Sequence, residues 1–226
     1  MSESTTRVRV WDLPTRVFHW VLALSVLGSI VTAKVGGAAM VWHFRLGYLA
    51  LGLLLFRIVW GLIGGRWSRF ASFLYAPGRV WAYLRGQRDL QGRDEVGHSP
   101  LGALSVWALL GLLVAQVGSG LFADDEIANA GPLNRFVSGR TAQLLTSWHK
   151  EFGEALLIAL LVLHVAAVLF YRWVRRKDLL TPMITGDKPL PADTPASADG
   201  PPQRWRAVLL ALVAAAAAYG VARLGG

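Results

Sequence analysis

Of the 5 histidines in this 226-residue chain, His19, His43, His149 and His164 fall in or at long apolar stretches. An ionisable side chain in such a stretch is rare and marks a functional position by default. The chain has no cysteine. That excludes disulfides, thiolate metal sites, iron–sulfur clusters and a Cys-x-x-Cys-His attachment. Any chemistry must rest on imidazole nitrogen, on carboxylates or on a cofactor held without sulfur.

The elements that carry these histidines are membrane spans. About 20 apolar residues at a rise of 1.5 Å cross the hydrocarbon core. Four stretches qualify: Val17–Val35, Val41–Ile63, Leu101–Phe122 and Ser147–Tyr171. The composition agrees, with 54% hydrophobic and 16% charged residues against about 25% charged in a soluble domain. Lys34 ends the first span, where it can snorkel. That span is longer than the apolar region of a cleaved signal peptide. The third span has no charge, and the fourth has Lys150, Glu151 and Glu154 only near its start. The expected fold class is therefore an all-α membrane protein built on a four-helix transmembrane bundle. Residues 207–224, Ala-rich and weakly apolar, read as a C-terminal fifth transmembrane helix. Residues 185–206 contain Pro189, Pro191, Pro195, Pro201 and Pro202 among Ala, Asp and Gly, the composition of a disordered cytoplasmic linker. There is no internal repeat.

Charge orients the bundle. There are 23 Lys plus Arg against 14 Asp plus Glu, a formal charge of +9. In a soluble protein this would suggest nucleic acid; here the cations cluster in alternate loops, so lipid is a partner and nucleic acid is not. Arg7, Arg9 and Arg16 precede span one. Arg66, Arg69, Arg79, Arg85, Arg88 and Arg93 follow span two, and Arg172, Arg175, Arg176 and Lys177 follow span four. Gly36–Met40 is uncharged, and the loop after span three sets Asp124, Asp125 and Glu126 against Arg135 and Arg140. The positive-inside rule places the N-terminus in the cytoplasm and the acidic loop outside. Trp11, Trp20, Trp42, Trp60, Trp67, Trp148, Trp173 and Trp205 lie near span ends, as an aromatic belt requires.

This topology gives each histidine a depth. His43 and His149 open spans two and four on the outer side. His19 opens span one on the inner side, and His164 lies 15 residues beyond His149, roughly 22 Å further in. At 100° per residue the two histidines of span four stand about 60° apart around the helix. Each depth thus holds two imidazoles from different helices, the arrangement that suits a six-coordinate haem iron inside a bundle. Gly47 and Gly153 follow His43 and His149 by four residues, and glycine one turn from a ligand leaves room for a porphyrin face. Arg57 lies 14 residues after His43, about 21 Å along nearly the same face, where it can pair with a propionate of an inner haem. Plainer alternatives stand beside these readings: hydrogen-bonded helix contacts for the histidines, helix packing for the glycines and snorkelling for Arg57. A His-lined ion path would call for mid-membrane carboxylates, and the spans contain none.

At this point the chain resembles the bacterial cytochrome b561 and nickel-hydrogenase cytochrome b family, in particular its short cytochrome b/b6-domain members. The resemblance covers about residues 7–188. It rests on VWDLPTRVFHW, WHFRLGY, LLFRIVWGLIGGRWSRF, GHSPLGAL, SGLFADDEI, TSWHKEFGEALL, LHVAAVLFY and PMITGDK. The family's ligands are one His in each of spans one and two and two in span four, which match His19, His43, His149 and His164. The resemblance implies two non-covalent b-type haems in residues 1–184, one on His19 and His164 and one on His43 and His149. The pairing read from depth agrees with it. It also implies electron exchange with the quinone pool across a bacterial inner membrane. The linker and fifth helix depart from the family's four-span core.

The expected function is single-electron transfer between quinone and a redox partner, with no open axial position for substrate chemistry and no catalytic residue. The partner is a hydrogenase-type enzyme or a periplasmic cytochrome c. A second reading is a self-contained oxidoreductase passing electrons from superoxide to ubiquinone. A third, of another class, is a His-lined transporter or a non-redox scaffold. His98, before the helix start Ser99-Pro100, is either an exposed loop residue or a proton-handling or quinone-contacting group. Asp124, Asp125 and Glu126 form either a solvated turn or a docking patch for a basic electron carrier.

Overall fold

The computed structural model describes residues 5–87, 96–125 and 129–225. Its elements in chain order are β1 (Thr5–Arg9), α1 (Leu13–Val35), α2 (Met40–Ile63), α3 (Pro77–Leu84), α4 (Pro100–Gly120), α5 (Gly139–Ser147), a π-helical segment (Trp148–Gly153), α6 (Glu154–Trp173), α7 (Leu180–Thr185), β2 (Asp187–Pro191) and α8 (Pro201–Ala222). Among the described residues five helical stretches are long and apolar enough to cross a membrane: Leu13–Val35, Gly37–Ile63, Pro100–Gly120, Gly139–Trp173 and Pro201–Gly225. The chain is an all-α membrane protein.

Local chemistry fixes the helix starts. Ser99 caps α4, its Oγ accepting the Gly102 N–H at 3.2 Å, and Pro100 occupies the first turn, where a missing N–H costs nothing. Ser138 caps α5 in the same way through the Thr141 N–H. The fourth span therefore begins earlier than the apolar run suggests, and α5 passes into a π turn before α6. A uniform 100° step per residue does not hold through a π turn. The straight-helix angle expected between His149 and His164 is therefore replaced by a helix with a change of phase.

The chain forms two compact units. One comprises the segments up to Val17, Arg57–Ala108 and His164–Val208. In it β1 and β2 pair antiparallel, from Thr5 opposite Pro191 to Arg9 opposite Asp187. Val8, Val10, Trp11, Trp67, Val96 and Leu190 form an apolar cluster beneath them. The stretch 185–206, expected to be a disordered linker, is ordered. Ser197 is buried; its N–H donates to the Arg9 carbonyl at 2.7 Å, and its Oγ donates to the Val10 carbonyl at 2.7 Å and accepts the Trp67 N–H. Pro195 accepts the Trp67 indole N–H at 2.8 Å. The prolines remove donors, but the segment meets backbone groups of the N-terminal strand that need partners.

The same unit holds a fully buried carboxylate, Asp12. Its Oδ1 accepts the Thr15 N–H at 2.8 Å and the Trp60 indole N–H at 3.2 Å. Its Oδ2 accepts the Gly65 N–H at 3.0 Å and the Ser68 hydroxyl at 2.6 Å. Asp12 thus caps α1 and ties that cap to the end of α2 and the turn beyond it. Gly65 must lack a side chain, because a Cβ there would run into the Asp12 carboxylate.

The other unit comprises Phe18–Phe56, Leu109–Leu163 and Leu209–Gly226. Here α8 meets α2 through small residues: Ala214 and Ala218 are buried, and a Cβ on Gly52 would lie 3.5 Å from that of Ala218. Close backbone approach of this kind is how helices associate where lipid offers no hydrophobic drive.

Candidate functional site

The second unit contains an apolar cavity of about 480 Å³, within the range of small-molecule and cofactor sites. Val26 and Ile30 of α1, Phe44 and Tyr48 of α2, Leu113 of α4 and Leu157 of α6 contribute to its wall, and His43 and His149 face it. Their ring centroids are 5.9 Å apart with the planes at 83°.

The polar contacts of the two imidazoles decide their chemistry. His43 Nδ1 lies 2.9 Å from the Ser29 carbonyl oxygen, and His149 Nδ1 lies 2.8 Å from the Gln116 carbonyl oxygen. A carbonyl can only accept, so Nδ1 carries the proton on both rings and Nε2 keeps the lone pair. Neither Nε2 has a hydrogen-bond partner among the described residues. A metal-ligating histidine is arranged in this way, with one nitrogen oriented by a backbone acceptor and the other open. Two metal–imidazole bonds of about 2 Å each, with about 1 Å from each nitrogen to its ring centre, span about 6 Å, close to the separation found. The paired donors and the apolar wall fit a bis-imidazole haem. His43 and His149 would hold its iron.

The glycines expected at this site part company. Gly47 lines the cavity, and a Cβ there would meet open space. Gly153 is buried away from the cavity lining, and a Cβ there would overlap the Gln116 side-chain oxygen and lie 2.9 Å from the Trp148 carbonyl. The structure uses Gly153 for helix contact. Three residues escaped the sequence reading. Gln116 holds His149, Ser119 Oγ donates to the Gln116 carbonyl at 3.0 Å, and Gly120 would bring a Cβ to 2.8 Å from His149 Cε1. The signal was a lone amide in an otherwise apolar, uncharged span, since a polar group placed there needs a partner. Lys34, expected to snorkel at the end of the first span, forms an ion pair with Glu154 at the cavity.

The other expected site residues lie as follows. His19 belongs to the second unit and meets Trp20 edge-on at 5.0 Å. His164 belongs to the first unit. Arg57 does not snorkel: it is 4% exposed, with its guanidinium 4.7 Å from the Phe70 ring centre. His98, one of whose readings was an exposed loop residue, is packed between Trp11 at 4.7 Å and Phe73 at 4.5 Å, and its carbonyl accepts the Tyr75 hydroxyl. Asp125 accepts the N–H and the side-chain amide of Asn129, so it serves a turn; Glu126 lies outside the described residues.

A membrane protein of helical spans that turns paired imidazoles towards an apolar cavity has the features of the membrane b-type cytochromes, which carry electrons. The comparison with known families agrees, because the profile of prokaryotic cytochrome b561 matches residues 10–186. The chain belongs to that family. Among curated relatives, the probable Ni/Fe-hydrogenase B-type cytochrome subunit of Azotobacter chroococcum mcd 1 is 27% identical, over 84% of this chain and 92% of its own length. The probable Ni/Fe-hydrogenase 1 B-type cytochrome subunit of Escherichia coli (strain K12) is 24% identical, over 82% and 92%. The corresponding subunit of Cupriavidus necator is 25% identical, over 78% and 85%. No solved structure matches the chain at a significant level.

Proposed function

We propose that this chain is a dihaem electron-transfer subunit of a bacterial inner membrane, moving single electrons between quinone and a Ni/Fe-hydrogenase-type partner. The single observation that carries the reading is the His43–His149 pair, with both Nδ1–H groups bound to backbone carbonyls and the rings 5.9 Å apart beside an apolar cavity. The similarity to probable Ni/Fe-hydrogenase B-type cytochrome subunits supports the partner class. The bias of Arg and Lys towards alternate loops supports a cytoplasmic N-terminus, with His43 and His149 on the periplasmic side.

The chain's own residues bind, orient and insulate. Ser29 and Gln116 fix the two rings, and an Nδ1–H bound to a carbonyl makes Nε2 a better donor. Val26, Ile30, Phe44 and Leu113 give the cavity an apolar wall, and an apolar shell lowers the local dielectric around a bound metal group. A haem held there by His43 and His149 would supply a one-electron iron couple. A second haem on His19 and His164, with Arg57 at a propionate, rests on their sequence depth and the family resemblance.

The test is a reduced-minus-oxidised spectrum of the purified protein with a haem assay. The expected result is b-type bands and two haems per chain. Protein that lacks haem absorption after haem-replete expression would overturn the reading.

A further inference from the structure

Gln116 grips His149 at two points. Its backbone carbonyl accepts the imidazole Nδ1–H at 2.8 Å. Its side-chain Nε2 donates to the His149 carbonyl at 2.7 Å. One residue of α4 thus holds both the ring and the main chain of a residue in the π-helical turn Trp148–Gly153. Such a turn departs from the regular i→i−4 ladder, so its backbone groups depend more on outside partners.

The amide can be oriented only one way. Rotating it by half a turn would set its oxygen against the His149 carbonyl oxygen, two acceptors facing each other. In the observed orientation Oε1 is buried and takes no hydrogen bond, and it fills the place that a Cβ on Gly153 would need. Gln116 is itself 9% exposed. A buried amide with one unmatched acceptor is costly, and it is kept where its donor does something the apolar alternative cannot.

We propose that Gln116 is a positioning residue for the His149 imidazole. Its side-chain amide holds the π turn, and so sets the ring orientation and the strength of the Nδ1–H hydrogen bond. This inference rests on the reading that His43 and His149 hold a haem. A weaker Nδ1–H hydrogen bond makes imidazole a poorer donor to iron, which favours the reduced state, so the expected shift in midpoint potential is upward. Gly153 is part of the same device, because it leaves room for the amide.

The test is potentiometry and low-temperature EPR on the full-length protein in membranes, comparing wild type, Gln116→Leu and Gly153→Ala. Gln116→Leu removes the amide and leaves the backbone carbonyl in place. The expected result is that both haems remain, one haem rises in potential and changes its low-spin signal, and the other is unmoved. The haem that responds is the one removed by His43→Ala. Gly153→Ala, which displaces the amide without deleting it, moves the same haem in the same direction. Wild-type potentials and signals in both variants, or a shift confined to the other haem, would overturn the inference and leave the haem reading intact. If Gln116→Leu does not accumulate, Gly153→Ala decides alone on the same criterion. Absence of haem from the wild type would overturn both.

Discussion

The His43–His149 pair and the Asp12 carboxylate are both polar groups within an apolar protein, and they are treated in opposite ways. Asp12 receives two hydrogen bonds on each oxygen. Each imidazole is held at Nδ1, His43 by the Ser29 carbonyl and His149 by the Gln116 carbonyl with Ser119 Oγ at 3.4 Å, and among the described residues neither Nε2 has a hydrogen-bond partner. The saturated centre holds the fold together, and the half-saturated one leaves two imidazole nitrogens open, as the proposed haem site requires.

Histidine substitutions test that contrast with the largest expected effect. His43→Ala and His149→Ala each remove one haem from the reduced-minus-oxidised spectrum, and both remove the same one. Loss of different haems would break the pairing. The second largest effect belongs to the saturated centre. Asp12→Ala strands the Trp60 indole, the Ser68 hydroxyl and two backbone N–H groups, at about 3–5 kcal/mol by analogy with removing one partner of a buried charged network. Thermal unfolding in detergent measures the loss. The haem of His43 and His149 keeps its potential in whatever Asp12→Ala protein folds; a shifted potential would show that the two centres are not separate in role.

The two centres were not equally legible in the sequence. The spans were, because a long uninterrupted apolar run has few other uses: Val41–Ile63 became α2, Met40–Ile63, and Leu101–Phe122 became α4, Pro100–Gly120. The histidines stood out for the converse reason, as ionisable residues where few belong. Asp12 was invisible, since an aspartate before a helix reads as an ordinary cap and its other partners, Trp60, Gly65 and Ser68, are distant in sequence. β1 and β2 were missed because each is five residues long with no clear alternation, and their pairing joins segments far apart in the sequence. The Pro-rich stretch looked disordered because composition reports what a segment can do alone, not which backbone groups await it. Gly47 and Gly153 share one spacing from a histidine. Spacing does not tell a glycine facing a cavity from one facing a glutamine.

Gly120 allows a milder test of the open centre. In Gly120→Ala the new methyl would stand 2.8 Å from His149 Cε1 and 3.1 Å from Nδ1, so the ring or α4 must move. The expected outcome is roughly 10–100-fold weaker retention of the same haem that His149→Ala removes, the range for disturbing the support of a metal ligand. Retention is read by haem transfer to apomyoglobin. Unchanged retention would mean that the ring has more freedom than its hydrogen bonds imply.

The smallest expected effect concerns the saturated side, and its sign follows from linkage. Asp199 has a side chain only 7% exposed. Burial by itself pushes its carboxyl up, but the Leu13 N–H, the Arg204 hydrogen bond and the charges of Arg204 and Arg9 outweigh it and hold the group below its ordinary value of 3.8. A carboxylate whose folded pKa is depressed contributes stability above the unfolded pKa and loses it as pH falls through the folded value. The contacts that join 185–206 to the N-terminal strand are therefore unchanged from pH 7 down to about 5 and weaken below about 4. Amide exchange in Asp187–Pro191 reports this, because β2 is paired to the strand whose Arg9 meets Asp199 at 2.7 Å. Asp199→Asn at pH 7 should show the loss of amide protection, measured against the intrinsic exchange rate at each pH, that acid causes in wild type, and should lose little more on further acidification. If it keeps the full acid response, another carboxylate secures the strand pair, and Asp187, 2.7 Å from Arg9 Nε, is the next to replace.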